Sequence, residues 1–86
     1  MARRRWIEDI RHGEIIGANV KVGDCRLSVH HYMGCGDLWF VSYYGIFDKK
    51  QMNSDTLSEA KREALKMLQD NLQTALDQTM MIIGGE

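Results

Sequence analysis

The feature that most constrains the fold is a well-marked helix start. Thr56-Leu57-Ser58-Glu59 has the form of a capping box, in which a threonine and a glutamate three residues later satisfy free amide groups at a helix N-terminus. Apolar residues then recur three and four positions apart, as on the buried side of an amphipathic helix. They are Ala60, Ala64, Leu65, Leu68, Leu72, Ala75 and Leu76. The pattern predicts a helix over residues 56–78, about five or six turns long, that packs on one face of a sheet.

The segment from residue 14 to residue 49 has the alternation of apolar and polar residues that is typical of strands. Its last part is rich in aromatic and β-branched side chains, which favour extended backbone. Two turn signals, Gly23-Asp24 and Gly34-Cys35-Gly36-Asp37, divide the segment, and short turns join antiparallel neighbours. The strands are expected at residues 18–22, 25–33 and 38–47. We therefore predict an α+β domain in which a three-stranded antiparallel meander packs on the long helix.

The residues before the predicted sheet and after the predicted helix have less regular patterns. Residues 1–13 fit an N-terminal arm or, because Trp6, Ile7 and Ile10 have helical spacing, a short amphipathic helix. The run 79–83 in the tail fits either a fourth strand at the sheet edge or an apolar extension that docks on a partner. A chain of 86 residues has room for one domain. Its expected parts are the arm or short helix 1–13, the sheet 14–49, the helix 56–78 and the tail 79–86.

Charge and cysteine content exclude several classes of protein. The formal net charge is −1, so binding to nucleic acid through bulk positive charge is not expected. Two cysteines are too few for a disulfide-stabilised secreted scaffold. No apolar stretch approaches the roughly 20 residues that span a bilayer, and the Arg-rich start lacks the apolar core of a signal peptide. We therefore expect a cytoplasmic protein without membrane contact.

One cluster of residues has the chemistry of a metal or thiol site. Cys25, His30, His31 and Cys35 follow the pattern C-x4-H-H-x3-C, which differs from the close CxxC or HxxxH pairs of structural zinc sites. Alternation along a strand also points the two adjacent histidines to opposite sides. A cysteine and a histidine can act as nucleophile and base, but no pattern for an oxyanion hole, a phosphate loop or a dinucleotide site accompanies them. We therefore expect no catalysis, no metal and no cofactor.

The sheet is expected to have one face with surplus aromatic surface. If residues 34–37 form a four-residue loop, Met33 pairs with Leu38 and His31 pairs with Phe40, and these side chains face the helix. The opposite face then carries Arg26, Ser28, His30, Tyr32, Trp39, Val41, Tyr43 and Phe47. A slip of one residue would exchange the two faces, but aromatic residues would still be in excess on one of them.

Three uses of this aromatic surface remain open. Trp6, Ile7 and Ile10 could fold back and cover it. A partner protein or a second copy could bind it, since aromatic residues and arginine are enriched at interfaces. The rings could also stack on the bases of RNA or single-stranded nucleic acid.

We favour the second use, with a larger protein or ribonucleoprotein complex as the partner and a homodimer as a further option, and we rank nucleic acid below it. The expected contact residues are Trp39, Tyr32, Tyr43, His30 and Arg26, with Arg3, Arg4 and Arg5 as a flanking electrostatic contribution.

The order of these elements resembles that of a class of small phage and mobile-element proteins. The residues that carry the resemblance are Gly36-Asp37-Leu38-Trp39-Phe40-Val41-Ser42-Tyr43, followed by Asp55-Thr56-Leu57-Ser58-Glu59-Ala60-Lys61 and a long helix. The same order is similar to that of the small antitoxins of the HicB type. The resemblance covers residues 25–78, is architectural, and transfers no functional residue. It implies a phage-encoded viral protein that inhibits a host defence complex by stoichiometric docking, as anti-CRISPR proteins do, in the cytoplasm of the host cell.

Overall fold

The computed structural model describes residues 5–32, 34 and 36–85. Within this part of the chain, the strands are β1 (Ile7–Arg11), β2 (Glu14–Val22), β3 (Cys25–His30), β4 (Phe40–Tyr43) and β5 (Phe47–Gln51), and the helix α1 is Leu57–Gly84. The strands form one antiparallel sheet in the order β1-β2-β3-β4-β5. The predicted α+β fold with an antiparallel meander is confirmed, whereas the predicted count of three or four strands is wrong because the sheet has five.

The first additional strand is β1, in the segment for which the sequence predicts an arm or a short helix. A two-residue turn at His12 and Gly13 joins it to β2, and both residues have positive φ, 52° and 79°, as a type I′ hairpin turn requires. Arg11 therefore pairs with Glu14, and the ladder continues along β1. This pairing gives the segment backbone hydrogen bonds along its length, whereas a helix of one or two turns is unstable alone. Of the two alternatives predicted for this segment, the short helix is wrong for this reason.

The second additional strand is β5, which follows a tight turn inside the segment predicted as one strand, residues 38–47. The turn contains Gly45, whose φ is 82°, and the amide of Ile46 donates a hydrogen bond to the carbonyl oxygen of Tyr43 at 3.0 Å. Glycine adopts this left-handed conformation without a steric penalty. The chain therefore reverses here, and Phe47 packs against the core, not on the opposite face as predicted.

The pairing of β3 with β4 differs by one residue from the predicted register. His30 lies opposite Phe40, whereas a four-residue loop would bring His31 opposite Phe40. The connection between these strands is longer than four residues, so the turn cluster does not set the register. As a result Trp39 and Val41 belong to the core on the helix side, and their predicted position on the opposite face is wrong.

The core lies between α1 and one face of the sheet. Three residues of α1 are buried there: Ala60, Ala64 and Leu68. The two alanines let the helix backbone approach the sheet, and larger side chains come from the strands and the adjoining loops. These are Val20, Leu27, Val29, Trp39, Val41 and Met52. Burial of these apolar side chains is the main stabilising contribution in so small a domain.

The start of α1 agrees with the predicted capping box. Thr56 is the N-cap residue, and its Oγ1 accepts a hydrogen bond from the backbone N–H of Glu59 at 3.2 Å. The Glu59 carboxylate accepts in turn from the backbone amide of Asp55 at 3.4 Å. One helical turn later, the Glu63 carboxylate accepts from the backbone amide of Asn53 at 3.1 Å. The loop before the helix is thus tied to its first turns.

The end of α1 differs from the predicted one. The helix continues through residues 79–83, where the sequence favours a strand or an extension, and ends at Gly84. Its last buried residue is Leu68, so about 24 Å of helix extends beyond the core at 1.5 Å per residue. The molecule is accordingly elongated, and its radius of gyration of 15.1 Å exceeds the roughly 12 Å of a compact chain of this length. Among the described residues, no helix is long and apolar enough to cross a membrane.

Candidate functional site

The face of the sheet turned away from α1, called the outer face below, gathers polar and aromatic residues. They lie on one side because side chains alternate along each strand. Its central residues are Ser28, His30 and Tyr32, from β3 and the loop after it, and Phe40 and Ser42 from β4, while Arg26 of β3 lies at its margin. All of them except Arg26 are partly buried by one another and by the neighbouring strands.

A hydrogen-bond network centres on His30. Its Nε2 lies 3.1 Å from Oγ of Ser42 and 3.4 Å from Oη of Tyr32. Oγ of Ser42 also accepts a hydrogen bond from the backbone amide of Lys49 at 3.1 Å. The hydroxyl proton of Ser42 is then available for donation to Nε2 of a neutral His30. The network therefore links β3, β4 and β5 across the outer face.

The surroundings of His30 favour its neutral form. Burial, followed by the positive charge of Lys49 and by the charge of His31, lowers the pKa of His30 below its ordinary value of 6.5. Desolvation has this effect because the charged imidazolium loses more hydration than the neutral ring. His30 is therefore an uncharged hydrogen-bonding group at neutral pH.

Three rings form an edge-to-face cluster beside this network. The rings of His30 and Tyr32 have centroids 4.5 Å apart and an interplanar angle of 84°, and those of Tyr32 and Phe40 have centroids 5.0 Å apart and an angle of 62°. Nζ of Lys49 lies 5.5 Å from the centroid of Tyr32, within the range of a cation–π interaction. Tyr32 is thus held from three sides while its ring stays partly exposed.

The strands β2 and β3 approach each other closely beside His30. Gly17 of β2 lies opposite His30, and a Cβ atom at this glycine would come within 2.5 Å of the Val29 carbonyl oxygen and 3.1 Å of Cα of His30. These contacts involve backbone atoms, which cannot move away as a flexible side chain does. Only glycine therefore fits at this position without shifting β2 away from β3.

Charged residues surround the central cluster with both signs. Strand alternation places Lys21 of β2 beside Arg26, its cross-strand neighbour, on the outer face. Lys49 lies over Tyr32, while Asp48 and Arg26 line a shallow groove that runs toward the turn between β4 and β5. Asp9, opposite Gly17, contributes to a second hollow beside His30. The outer face thus has aromatic and uncharged hydrogen-bonding side chains at its centre and charges of both signs, with a basic excess, at its margin.

The structure brings together three of the five predicted contact residues. Arg26, His30 and Tyr32 all lie on the outer face. Arg5 of the predicted electrostatic group is exposed, while Arg3 and Arg4 lie outside the described residues.

The two remaining predicted contact residues lie on the helix side of the sheet. Trp39 is only 5% exposed, and its predicted place on an accessible face is wrong. Tyr43 packs against the core, and its hydroxyl donates a hydrogen bond to the carbonyl oxygen of Val22 at 2.7 Å. Both corrections follow from the one-residue difference in register, which moves alternate residues of β4 to the other face.

The outer face also contains three residues that the sequence does not assign to it: Phe40, Ser42 and Lys49. Phe40 and Ser42 alternate with Val41, so inward burial of that valine is the signal that would have placed them correctly. Lys49 has a φ of 53° in an irregular stretch of β5. Its position over Tyr32 depends on that irregularity, for which the local sequence has no clear marker.

The residues of the C-x4-H-H-x3-C pattern do not form one cluster in the described part of the chain. His30 and His31 point to opposite sides, and Nδ1 of His31 lies 2.7 Å from the Leu38 carbonyl oxygen. Cys25 is a partly exposed free thiol, and Cys35 lies outside the described part of the chain. Across residues 5–32, 34 and 36–85, no group of three or more histidine, cysteine, aspartate or glutamate side chains could hold a metal ion.

The outer face thus combines half-exposed rings at the centre, a neutral histidine and a serine that can form hydrogen bonds, and cations at the margin. Comparison with known proteins adds no assignment to this geometry. The chain matches no protein-family model, no curated protein and no solved structure.

Proposed function

We propose that the protein is a non-catalytic binding module that docks on a partner protein through the outer face of its sheet. The observation that carries the proposal is the cluster of Tyr32, Phe40 and His30, which is fixed by mutual packing and is still partly exposed. Rings held in place lose little side-chain freedom on binding, so more of the contact energy appears as affinity. Tyrosine and arginine are also among the residues that contribute most to protein interfaces.

The charges at the margin specify the chemistry of the partner. Lys21, Arg26 and Lys49 exceed Asp9 and Asp48 in number, so a complementary surface packs on the rings and hydrogen-bonds at its centre and has acidic residues around it. Lys49 lies over Tyr32 of the aromatic cluster, and Arg26 lies farther along β3 in the adjoining groove. Their contribution is to the rate and specificity of docking more than to affinity, because exposed charges stay hydrated.

We propose further that the partner is a larger protein assembly in the cytoplasm and that docking inhibits it. This part rests on the architectural resemblance to small phage proteins that inhibit host defence complexes. A protein partner is favoured over nucleic acid because Tyr32 packs edge-on against Phe40 and is covered by Lys49, so the open ring faces that bases stack on are reduced.

Two adjacent lysines on opposite faces give a matched test. Lys49 lies on the outer face, whereas Lys50 points to the helix side, with Nζ 5.7 Å from the centroid of Phe47. Tagged wild-type protein, Lys49→Glu, Lys50→Glu and Tyr32→Ala are each used to isolate complexes from the host, with and without nuclease, and stoichiometry is read by mass. We expect a nuclease-resistant complex of fixed stoichiometry that is lost with Tyr32→Ala, weakened by charge repulsion with Lys49→Glu, and retained with Lys50→Glu.

Other results of this experiment would overturn the proposal. Binding that is lost with Lys50→Glu and retained with Lys49→Glu would move the interface to the other side of the sheet. Binding that disappears on nuclease treatment and weakens steeply with salt would assign the outer face to nucleic acid, because phosphate contacts release counterions. Circular dichroism of each variant separates loss of binding from loss of fold.

A further inference from the structure

An apolar stripe runs along one flank of α1, from the part that packs on the sheet to the end of the projecting half. The stripe consists of Leu65, Leu72, Leu76, Met80 and Ile83. At about 100° per residue, all except Met80 lie within roughly 40° of one another around the helix axis. Leu65 and Leu72 are one heptad apart, as are Leu76 and Ile83, which is the spacing of a helix that packs along another helix.

This stripe is separate from the surface that packs on the sheet. The buried residues Ala60, Ala64 and Leu68 are centred about 100° away from it around the helix. Leu65 is already 42% exposed where the helix lies on the sheet, and Ile83 is 67% exposed at the far end. The stripe therefore runs along the flank of the helix for its whole projecting length.

The apolar area that the stripe exposes is about as large as the apolar part of a dimer interface. With about 200 Å² for a fully exposed Leu, Ile or Met residue, the stripe exposes roughly 500 Å², near the upper limit for an apolar patch on a monomer. A standard-sized interface takes about 800 Å² from each partner, of which somewhat more than half is apolar. The stripe supplies that apolar fraction.

Charges beside the stripe can pair with the same charges on a second, antiparallel copy. Past the capping residue Glu59, this flank carries the basic residues Arg62 and Lys66 and then the acidic residues Asp70 and Asp77, and Lys66 forms an exposed ion pair with Asp70 of its own helix at 2.8 Å. In an antiparallel pair related by a twofold axis, this flank of one helix meets the same flank of the other. The basic part of each copy then faces the acidic part of its partner. A parallel pair would not bring these flanks together.

A groove continues the stripe onto the sheet. It is lined by Val22 at the end of β2 and by Leu65, Leu68 and Leu72 of α1. In the antiparallel arrangement, the projecting end of one helix passes the base of the other, where this groove opens. Met80 of the second copy is then positioned to enter it. Each copy supplies both the projecting helix end and the groove that receives it.

We propose that two copies of the chain form an antiparallel dimer through α1, in which their apolar stripes pack together and the projecting end of each helix fills the groove beside Val22 of the other. The interface is isologous, so it closes on two copies and leaves the outer face of each sheet free. It is independent of the docking proposed above.

The test compares substitutions in the stripe with a substitution on the opposite side of α1. Mass is measured by sedimentation equilibrium over a range of concentrations for wild type, Leu76→Lys, Ile83→Lys and Thr74→Lys. Thr74 is exposed and lies about 180° from the stripe. We expect a wild-type dimer, a dissociation constant at least about tenfold higher in the two stripe variants, and no change in Thr74→Lys. Circular dichroism confirms that each variant keeps its helix.

A charge exchange tests the antiparallel orientation. Asp77→Lys and Lys66→Glu, the second of which also breaks the ion pair between Lys66 and Asp70 of one helix, should each weaken the dimer. The double variant should bind more tightly than either single variant, because the pairing between copies is then re-formed with reversed signs. Failure of the double variant to recover would overturn the orientation. A wild-type chain that stays monomeric, or a dimer unaffected by Leu76→Lys, would overturn the dimer and assign the stripe to a different partner.

Discussion

The imidazole ring of His31 stacks on the indole of Trp39, with ring centroids 3.5 Å apart and the planes inclined by 31°. The backbone amide of His31 donates a hydrogen bond to the carbonyl oxygen of Ile16 at 2.9 Å, and its ring reaches the carbonyl oxygen of Leu38. The histidine thus packs on a buried tryptophan on the helix side of the sheet and helps to hold the connection that leads from β3 to β4.

Because Trp39 is in the core, we expect Trp39→Ala to destabilise the fold as a whole. Loss of a buried tryptophan side chain lowers the free energy of unfolding by about 3–5 kcal/mol. Urea denaturation followed by circular dichroism measures this change. Its neighbour Leu38, which is 42% exposed, provides the control, and Leu38→Ala should have a much smaller effect. A Trp39→Ala variant with wild-type stability would contradict the core position.

We expect Gly17→Ala to destabilise the sheet because its new methyl group would collide with backbone atoms of β3. Overpacking of this kind lowers the free energy of unfolding by about 1–3 kcal/mol. Gly84→Ala is the matched substitution, since no atom lies within 4 Å of its Cβ position. That variant should be as stable as wild type or slightly more stable, because alanine favours helix. Equal effects at the two glycines would show that the close approach at His30 is unimportant.

Stability should depend on pH through His30. Its pKa is lowered in the folded protein, so the unfolded chain takes up this proton first as the pH falls below 6.5. The free energy of unfolding therefore decreases between 6.5 and the lowered pKa of His30, and it is restored as the pH rises through the same window. Denaturant titrations across this range measure the slope.

A substitution at His30 tests whether this residue causes the pH dependence of stability. His30→Gln keeps a polar group beside Ser42 and Tyr32 but cannot be protonated, so the dependence on pH should flatten. His12→Asn, in the exposed turn between β1 and β2, should retain it, and asparagine tolerates the positive φ at this position. An unchanged slope in His30→Gln would assign the dependence to another group.

Tyr43 and Tyr44 are adjacent tyrosines that should respond differently to the loss of a hydroxyl group. The hydroxyl of Tyr43 donates to the carbonyl oxygen of Val22 at 2.7 Å, whereas Tyr44 is 86% exposed. We expect Tyr43→Phe to lower the free energy of unfolding by about 1 kcal/mol, as for other intramolecular hydrogen bonds. Tyr44→Phe should be neutral. Thermal unfolding of the two variants is a direct comparison, and equal melting temperatures would rule out a role for the bond.

Elements defined by local chemistry could be predicted from the sequence. The capping interaction between Thr56 and Glu59 fixes the start of α1 because it needs only four consecutive residues. Alternation within β3 likewise placed Arg26, His30 and Tyr32 on one face, since the period of two holds along any single strand. These were the parts of the site that needed no knowledge of a neighbouring strand.

Features that depend on distant residues could not be predicted in the same way. The positions of Trp39 and Phe40 depend on how β4 aligns with β3, and a long connection leaves that alignment to core packing. The strand β1 exists because β2 offers it a partner, and its own apolar spacing fits a helix equally well. The end of α1 was missed because residues 79–83 have high β-propensity, which a helix already in progress overrides.

The projecting half of α1 has a consequence for local stability. Residues 69–84 have no buried side chain, and an isolated helix of this length is marginal in water. In a single copy, their backbone amides are therefore expected to exchange hydrogen with solvent through local opening, well before those of the sheet. Protection of these amides would report association of the helix with a partner, and protection of the sheet would report folding.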